Sequence, residues 1–214
     1  FLNISTLVRA PPLPLADGGL GLPVYHEFIA KHGEWLRFSA DGRIIDKGRM
    51  ALERRALQPA VAALDERHAL AILRDGGPAP GRIRSATSDD GGRQWTVADA
   101  LPLPNPNASV AMLRLHGGRL LIAGNGASNR NELLLWISDD AGKNWRPAPT
   151  VENVADAEAE FSYPALLQAR DGRIHVVTEL VAGDTPSTKA AISALSALGL
   201  EGNVVIVIDR DDDV

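Results

Sequence analysis

The sequence predicts an all-β protein assembled from repeated antiparallel units. Three observations carry that prediction: an eight-residue turn, SDDGGRQW at Ser88 to Trp95, returns fifty residues later as SDDAGKNW at Ser138 to Trp145; apolar or alternating segments recur between glycine turns; and helical periodicity is scarce before residue 185. Strand-turn units of about 50 residues have the size of four-stranded propeller blades.

The elements follow in chain order. LGLPVYHEF, from Leu20, reads as one strand, and WLRFSADGRIID, from Trp35, as a hairpin turning at Asp41-Gly42. AVAALDERHALAILRD, from Ala60, turns at Asp65-Glu66, and VAMLRLHGGRLLIAGN, from Val110, at Gly117-Gly118. NELLLWISDDAGKNW carries a strand into the second octet, and ALLQARDGRIHVVTEL, from Ala165, turns at Asp171-Gly172. The expected arrangement is an antiparallel meander.

Composition bounds the function. The 214 residues are 45% hydrophobic and 23% charged, enough for one or two ordinary cores. A formal net charge of -5 argues against a broad nucleic-acid face, so no nucleic-acid partner is expected. The chain has no cysteine, which removes disulfide and thiolate chemistry and is compatible with either redox compartment. No apolar run approaches the roughly 20 residues of a spanning helix, so no membrane segment is expected. The start, FLNIST, has neither Met nor a charged region leading into an apolar one, and reads as a trimmed end. Localisation stays open.

The repeated octet is a folding device. Ser88, Asp90, Gly92 and Trp95 match S-x-D-x-G-x-x-W, as do Ser138, Asp140, Gly142 and Trp145. Each octet follows an apolar strand: the Asp accepts from turn amides, the Gly permits a positive φ and the Trp packs beneath. Nothing in it places a nucleophile beside a base.

These octets resemble the Asp boxes of the sialidase superfamily. Members fold as six-bladed β-propellers with the boxes remote from the active site, and such boxes also occur in non-catalytic propellers. QPAVAALDERHALAILRD resembles a segment whose glutamate opens a strand and whose arginine closes the hairpin partner. SNRNELLLWISDD resembles one that sets another arginine ahead of an Asp box, and EFSYPALLQARDGRIHV resembles the segment carrying the nucleophilic tyrosine. The resemblance covers about residues 1–177 and implies a partial propeller of three to four blades.

The implied activity is retaining exo-hydrolysis of a terminal sialic acid or related acidic sugar, without a cofactor. Such a sugar bears a carboxylate on its anomeric carbon, which repels an anionic nucleophile, whereas a tyrosine is neutral until attack. By resemblance Tyr163 is that nucleophile, and Arg74 and Arg130 match two members of an arginine triad that grips the carboxylate. The third arginine and an aspartic general acid belong to blades this chain does not contain. Gln58 stands where the family carries the glutamate that takes the tyrosine proton, and an amide is no general base. Glu160, three residues before Tyr163, is the candidate substitute. The blander readings are a core aromatic for Tyr163, turn charges for the arginines and a solvated strand foot for Glu160.

Other chemistries lack support in the sequence. His26, His32, His68, His116 and His175 show no metal-ligand spacing, and no metal site is expected. GDTPSTKA, Gly183 to Ala190, lacks the second glycine and the hydroxyl of a phosphate loop, and no G-x-S-x-G elbow is present.

The tail changes character. Thr185 as cap, Pro186, then Ile192, Leu195 and Leu198 along one face with Gly199 as stop predict a short helix, and NVVIVID a buried strand. TKAAISALSALGLEGNVVIVIDRDDD resembles a piece of the fourth large-subunit ribosomal protein. The organisation read from the sequence is therefore a sialidase-like partial β-propeller over 1–177 and a helix-strand tail of different ancestry over 178–214. Asp209 to Asp213 reads as a solvated terminus. Open strand edges of a partial ring invite self-association. The alternative function is a non-catalytic carbohydrate-binding or scaffold propeller, and the third reading is a fragment with no function of its own.

Overall fold

The computed structural model describes residues 6–28, 31–50, 55–96, 99–127, 129–148, 152–153, 160–181 and 204–210. These divide into two compact units, Phe1–Leu103 and Pro104–Val214. Every described element is a strand, and no helix occurs among the described residues. The helix expected over 185–199 lies outside them.

The first unit holds two sheets. β1 (Thr6–Val8), β2 (Leu13–Pro14), β3 (Leu20–His26), β4 (His32–Phe38) and β5 (Ile44–Arg49) form one, in the order β1-β3-β4-β5 with β2 also on β3. β6 (Ala56–Ala63), β7 (Ala69–Asp75), β8 (Arg82–Ser88) and β9 (Asp99–Pro104) form the other, in sequence order. Each hairpin read from the sequence is present: β4 and β5 flank Asp41-Gly42, where Gly42 takes φ +81°, and β6 and β7 flank Asp65-Glu66. Trp35, Met50, Ala56, Val61, Ala71, Leu73 and Ala86 cluster between the sheets, with Trp95 partly buried against them.

The second unit repeats the plan. β10 (Ala111–Arg114), β11 (Leu120–Asn125), β12 (Glu132–Ser138) and β13 (Arg146–Pro147) meander, with β14 (Glu152–Asn153) also on β12. β15 (Glu160–Gln168), β16 (Ile174–Val181) and β17 (Val204–Arg210) form the last sheet. Phe161, Ile174 and Val176 pack onto Leu121, Leu133, Leu135 and Ile137 across it. β17 pairs with β16 in parallel, from Ile174↔Val204 to Leu180↔Arg210, whereas β15 and β16 are antiparallel. A parallel partner cannot be reached by a tight hairpin and needs a crossover. Val204–Arg210 is thus a strand, but in an orientation that a meander does not produce.

Both octets close as the sequence predicts. Ser88 Oγ donates to Asp90 Oδ1 at 2.9 Å and accepts from Gly92 N at 2.9 Å; Asp90 Oδ1 then takes the amides of Arg93 and Gln94, each at 2.9 Å. In the second octet Ser138 Oγ donates to Asp140 Oδ1 and accepts from Gly142 N, both at 2.9 Å, while Asn144 N reaches Asp140 Oδ1 at 2.9 Å. Gly92 and Gly142 take φ +83° and +88°. The indoles differ from expectation in depth, for each is half-buried. Trp95 Nε1 donates to Gly92 O and Trp145 Nε1 to Gly142 O, at 3.2 and 3.0 Å, which holds each ring against its own turn. The two buried indoles among the described residues are Trp35, 2% exposed, and Trp136, 6% exposed.

The octet carboxylates are acidic. The Asn144 amide, then its side chain and the Ser138 hydroxyl, lower the Asp140 carboxyl from 3.8 to about 2. A depressed folded-state value contributes stability above the unfolded value that is lost as pH falls through the folded one. The stability advantage of wild type over Asp140→Asn is therefore expected to be full above about pH 4 and to shrink down to about pH 2. Urea midpoints of both proteins across that range check it; a pH-independent difference would contradict the bonded-carboxylate geometry.

Candidate functional site

Two strands carry the same local distortion, and both end at a residue singled out in the sequence. In β6 the register slips between Leu57 and Ala60, and in β15 between Ser162 and Ala165. The intervening pairs are Gln58-Pro59 and Tyr163-Pro164, and Gln58 and Tyr163 take φ +51° and +53°. A residue before proline favours extended backbone, and positive φ in a non-glycine side chain costs on the order of 1–3 kcal/mol. Surrounding structure must enforce the conformation. The bulge re-aims one side chain out of the strand's alternation. The doublets QPA and YPA were visible in the sequence, but their shared left-handed geometry contradicts the extended backbone that X-Pro implies locally.

In the first unit Gln58 is 3% exposed and held at both ends of its amide. Its Oε1 accepts from Arg74 Nη1 at 3.2 Å and its Nε2 donates to Tyr25 Oη at 3.4 Å. Arg74 reaches it because Leu57 and Arg74 are register partners. The next residue, Asp75, is 1% exposed and anchors this strand end: Arg55 donates at 2.9 and 3.0 Å, Arg84 at 3.1 and 3.2 Å, and Gly77 N at 2.9 Å. Burial pushes the Asp75 carboxyl up, yet the Gly77 amide and the two guanidinium groups outweigh it and hold it below the usual range. Ala69 pairs with Ser88 at the other end of β7, so Arg74 and the first octet lie at opposite strand ends.

In the second unit Arg130 gathers the site. Its Nη1 donates to Glu160 Oε1 and, at 3.0 Å, to Ser162 Oγ; its Nη2 donates to Asn107 O at 2.9 Å. Ser162 Oγ donates to Glu160 Oε1 at 2.5 Å. Asn107 itself takes φ +57°. Buried Asn125 braces the arrangement, its Nδ2 donating to the carbonyls of Phe161, Glu132 and Arg130 at 2.8, 3.0 and 3.3 Å. Tyr163 follows on the bulge with 42% of its surface exposed, so it is not a core aromatic. Arg130 precedes β12 and the second octet follows it, which again separates arginine from octet by a strand's length.

The structure thus brings Arg130, Glu160 and Ser162 together, with Tyr163 following Ser162 in the strand, and Gln58 together with Arg74. Glu160 stays 40% exposed in its side chain, and Arg130 and Ser162 both engage one of its carboxylate oxygens. Sequence reasoning missed Tyr25, Asp75, Asn107, Asn125 and Ser162. Their roles depend on pairing between segments, which no local motif encodes. It also read the histidines as scattered, whereas one donor atom from each of His26, His32 and Glu34 lies within 4.8 Å of the others.

In both units the octet follows the third strand of a four-stranded run, and residues 1–176 match the BNR repeat-like domain. The chain belongs to that family. Solved BNR-like folds include the NanB sialidase of Streptococcus pneumoniae, similar with a TM-score of 0.61 at 13% identity over 78% of this chain and 26% of that one. The intramolecular trans-sialidase of Ruminococcus gnavus, in complex with oseltamivir carboxylate, gives 0.57 at 18% identity over 76% and 37%. At these identities the likeness is one of fold, an all-β arrangement of several antiparallel sheets. A separate match of 45 residues, 58% identical, is to large ribosomal subunit protein uL4 of Mycobacterium ulcerans and covers 21% of this chain and 20% of that protein. The BNR repeat-like chain therefore spans about a quarter to a third of the two sialidases and a fifth of the ribosomal protein. No helix among the described residues is long and apolar enough to cross a membrane.

Proposed function

We propose that the chain is part of a sialidase-like retaining exo-glycosidase acting on a terminal sialic acid or related acidic sugar, with Tyr163 as nucleophile and Arg130 as carboxylate ligand. The observation that carries the reading is Tyr163, exposed on a positive-φ bulge and next in the chain to Ser162, whose hydroxyl accepts from the Arg130 guanidinium group. Backbone strain of this kind concentrates where a side chain must be presented rather than packed. In the proposed reaction the Tyr163 oxygen attacks the anomeric carbon as the bond to the leaving glycoside breaks. Water then displaces tyrosine from the same carbon, and two inversions give retention.

The tyrosine proton needs a base. Gln58 offers an amide, which is no base, and one Glu160 oxygen already accepts from Arg130 and Ser162. The third arginine and the general acid that the sialidase resemblance calls for have no match in these 214 residues. The chain alone is accordingly a binder of the acidic sugar and not a catalyst. A tail of different ancestry beyond about residue 177 is supported by the parallel β16–β17 pairing, which a meander does not produce, and by the short ribosomal-protein match. A non-catalytic carbohydrate-binding propeller is the second reading, favoured by the closed Tyr25–Gln58–Arg74 network.

Saturation-transfer NMR with free sialic acid and with galactose, alongside hydrolysis of an aryl sialoside, tests the proposal. The expected result is contact with sialic acid, none with galactose and no measurable hydrolysis. Equal contact with both sugars would remove the acidic-sugar reading. Hydrolysis that disappears in Tyr163→Phe would show that Gln58 and the unmatched groups are dispensable.

A further inference from the structure

The β3–β4 hairpin places three ligating side chains on one face. His26 and His32 are register partners at its loop end, and Glu34 lies two residues further along β4, so strand alternation sends all three to the same side. The imidazoles stack with centroids 4.7 Å apart and an interplanar angle of 22°. His26 Nε2 lies 2.9 Å from Glu34 Oε2, and the side chains of this pair are only 14% and 11% exposed. Thr6, the register partner of His26 on β1, carries a buried hydroxyl with no hydrogen-bond partner.

We propose that His26, His32 and Glu34 bind a divalent transition-metal ion, with zinc as the reference case. Two imidazoles and one carboxylate are a zinc donor set, and metal–ligand bonds of about 2.0–2.2 Å hold donors about 3.3–3.5 Å apart in a tetrahedral site. The 2.9 Å contact and the 4.8 Å limit on the three donor atoms bracket that separation, so side-chain rotation alone closes the site. The fourth position falls to water, for which the Thr6 hydroxyl is a neighbouring partner. Imidazole donors favour zinc, nickel and copper over magnesium. Two cations face the carboxylate from β5: Lys47 Nζ stands 3.2 Å from Glu34 Oε2, and Arg49 is the register partner of Glu34. Lys47 therefore competes with the metal, and its side chain, 32% exposed, has room to swing into solvent. This site is separate from the sugar site and does not rest on it.

The test is zinc titration of the chelator-treated 214-residue chain by calorimetry and thermal unfolding, with magnesium as control. One zinc per chain is expected, with Tm raised by several degrees, no response to magnesium, loss of binding in His32→Gln and severalfold tighter binding in Lys47→Ala. Cobalt in place of zinc should give the visible bands of a tetrahedral ion, a readout on wild type that holds even where His32→Gln fails to fold. Zinc binding that survives intact in a folded His32→Gln, or wild type that takes up neither zinc nor cobalt saturably, overturns the proposal.

Discussion

Trp35→Ala is expected to lower the stability of the chain by about 3 to 5 kcal/mol, the usual range for emptying a buried indole site. Trp35 is 2% exposed and stands where three elements of the first unit meet. A Cβ on Gly21 would lie 1.8 Å from the indole ring, and one on Gly92 would lie 2.6 Å from Nε1. Trp95 meets the indole edge-on with centroids 5.7 Å apart. Met50, Ala56, Val61 and Leu73 pack in the same cluster, so truncation would empty a site lined by several buried side chains. Gly21→Ala should also be strongly destabilising, because the clash is with a ring locked between two sheets. Urea unfolding followed by far-UV circular dichroism measures both. A cost under about 1 kcal/mol for Trp35→Ala would mean that the indole is not the keystone between the first sheet and the first octet.

Arg130→Met should weaken sialic acid binding by about 10- to 100-fold. Hydrogen bonds to charged groups contribute roughly 1.5–3 kcal/mol, and 1.4 kcal/mol is tenfold. The substitution removes a carboxylate ligand and also leaves Glu160 without the guanidinium that engages it. A second carboxylate beside the sugar's own then repels it. Adding Glu160→Gln to Arg130→Met should recover part of the loss, whereas Tyr163→Phe should leave binding nearly unchanged, because in the proposed reaction its hydroxyl acts in bond-making rather than in holding the acid. Calorimetric titration with sialic acid separates these cases. Unaltered affinity in Arg130→Met would show that the acid is held elsewhere, and equal loss in Tyr163→Phe would make Tyr163 a binding group.

What could be read from the chain is what ten or fewer consecutive residues decide. The hairpins at Asp41-Gly42 and Asp171-Gly172 follow from turn residues between alternating strands. The octets close through bonds two to four residues long, such as Ser88 to Asp90 and Gly92 N to Ser88, so their spacing already contains their geometry. β13 and β14, two residues each, left no period to detect.

The site depended on longer reach. Gln58 and Tyr163 sit before proline, where local sterics dictate extended backbone, and they adopt positive φ because each bulge lies in a strand whose partner fixes the register on both sides. Arg130 reaches Glu160 across 30 residues and Asn107 across 23. His26 and His32 become neighbours only once β3 and β4 pair in register, since a slip of one residue would send His32 and Glu34 to the other face. By itself, then, the sequence determined the strand-and-turn repeat and the family, because turn chemistry and alternation are local. The tertiary structure alone decided which charges meet, because strand register, and not spacing along the chain, sets the distance between side chains.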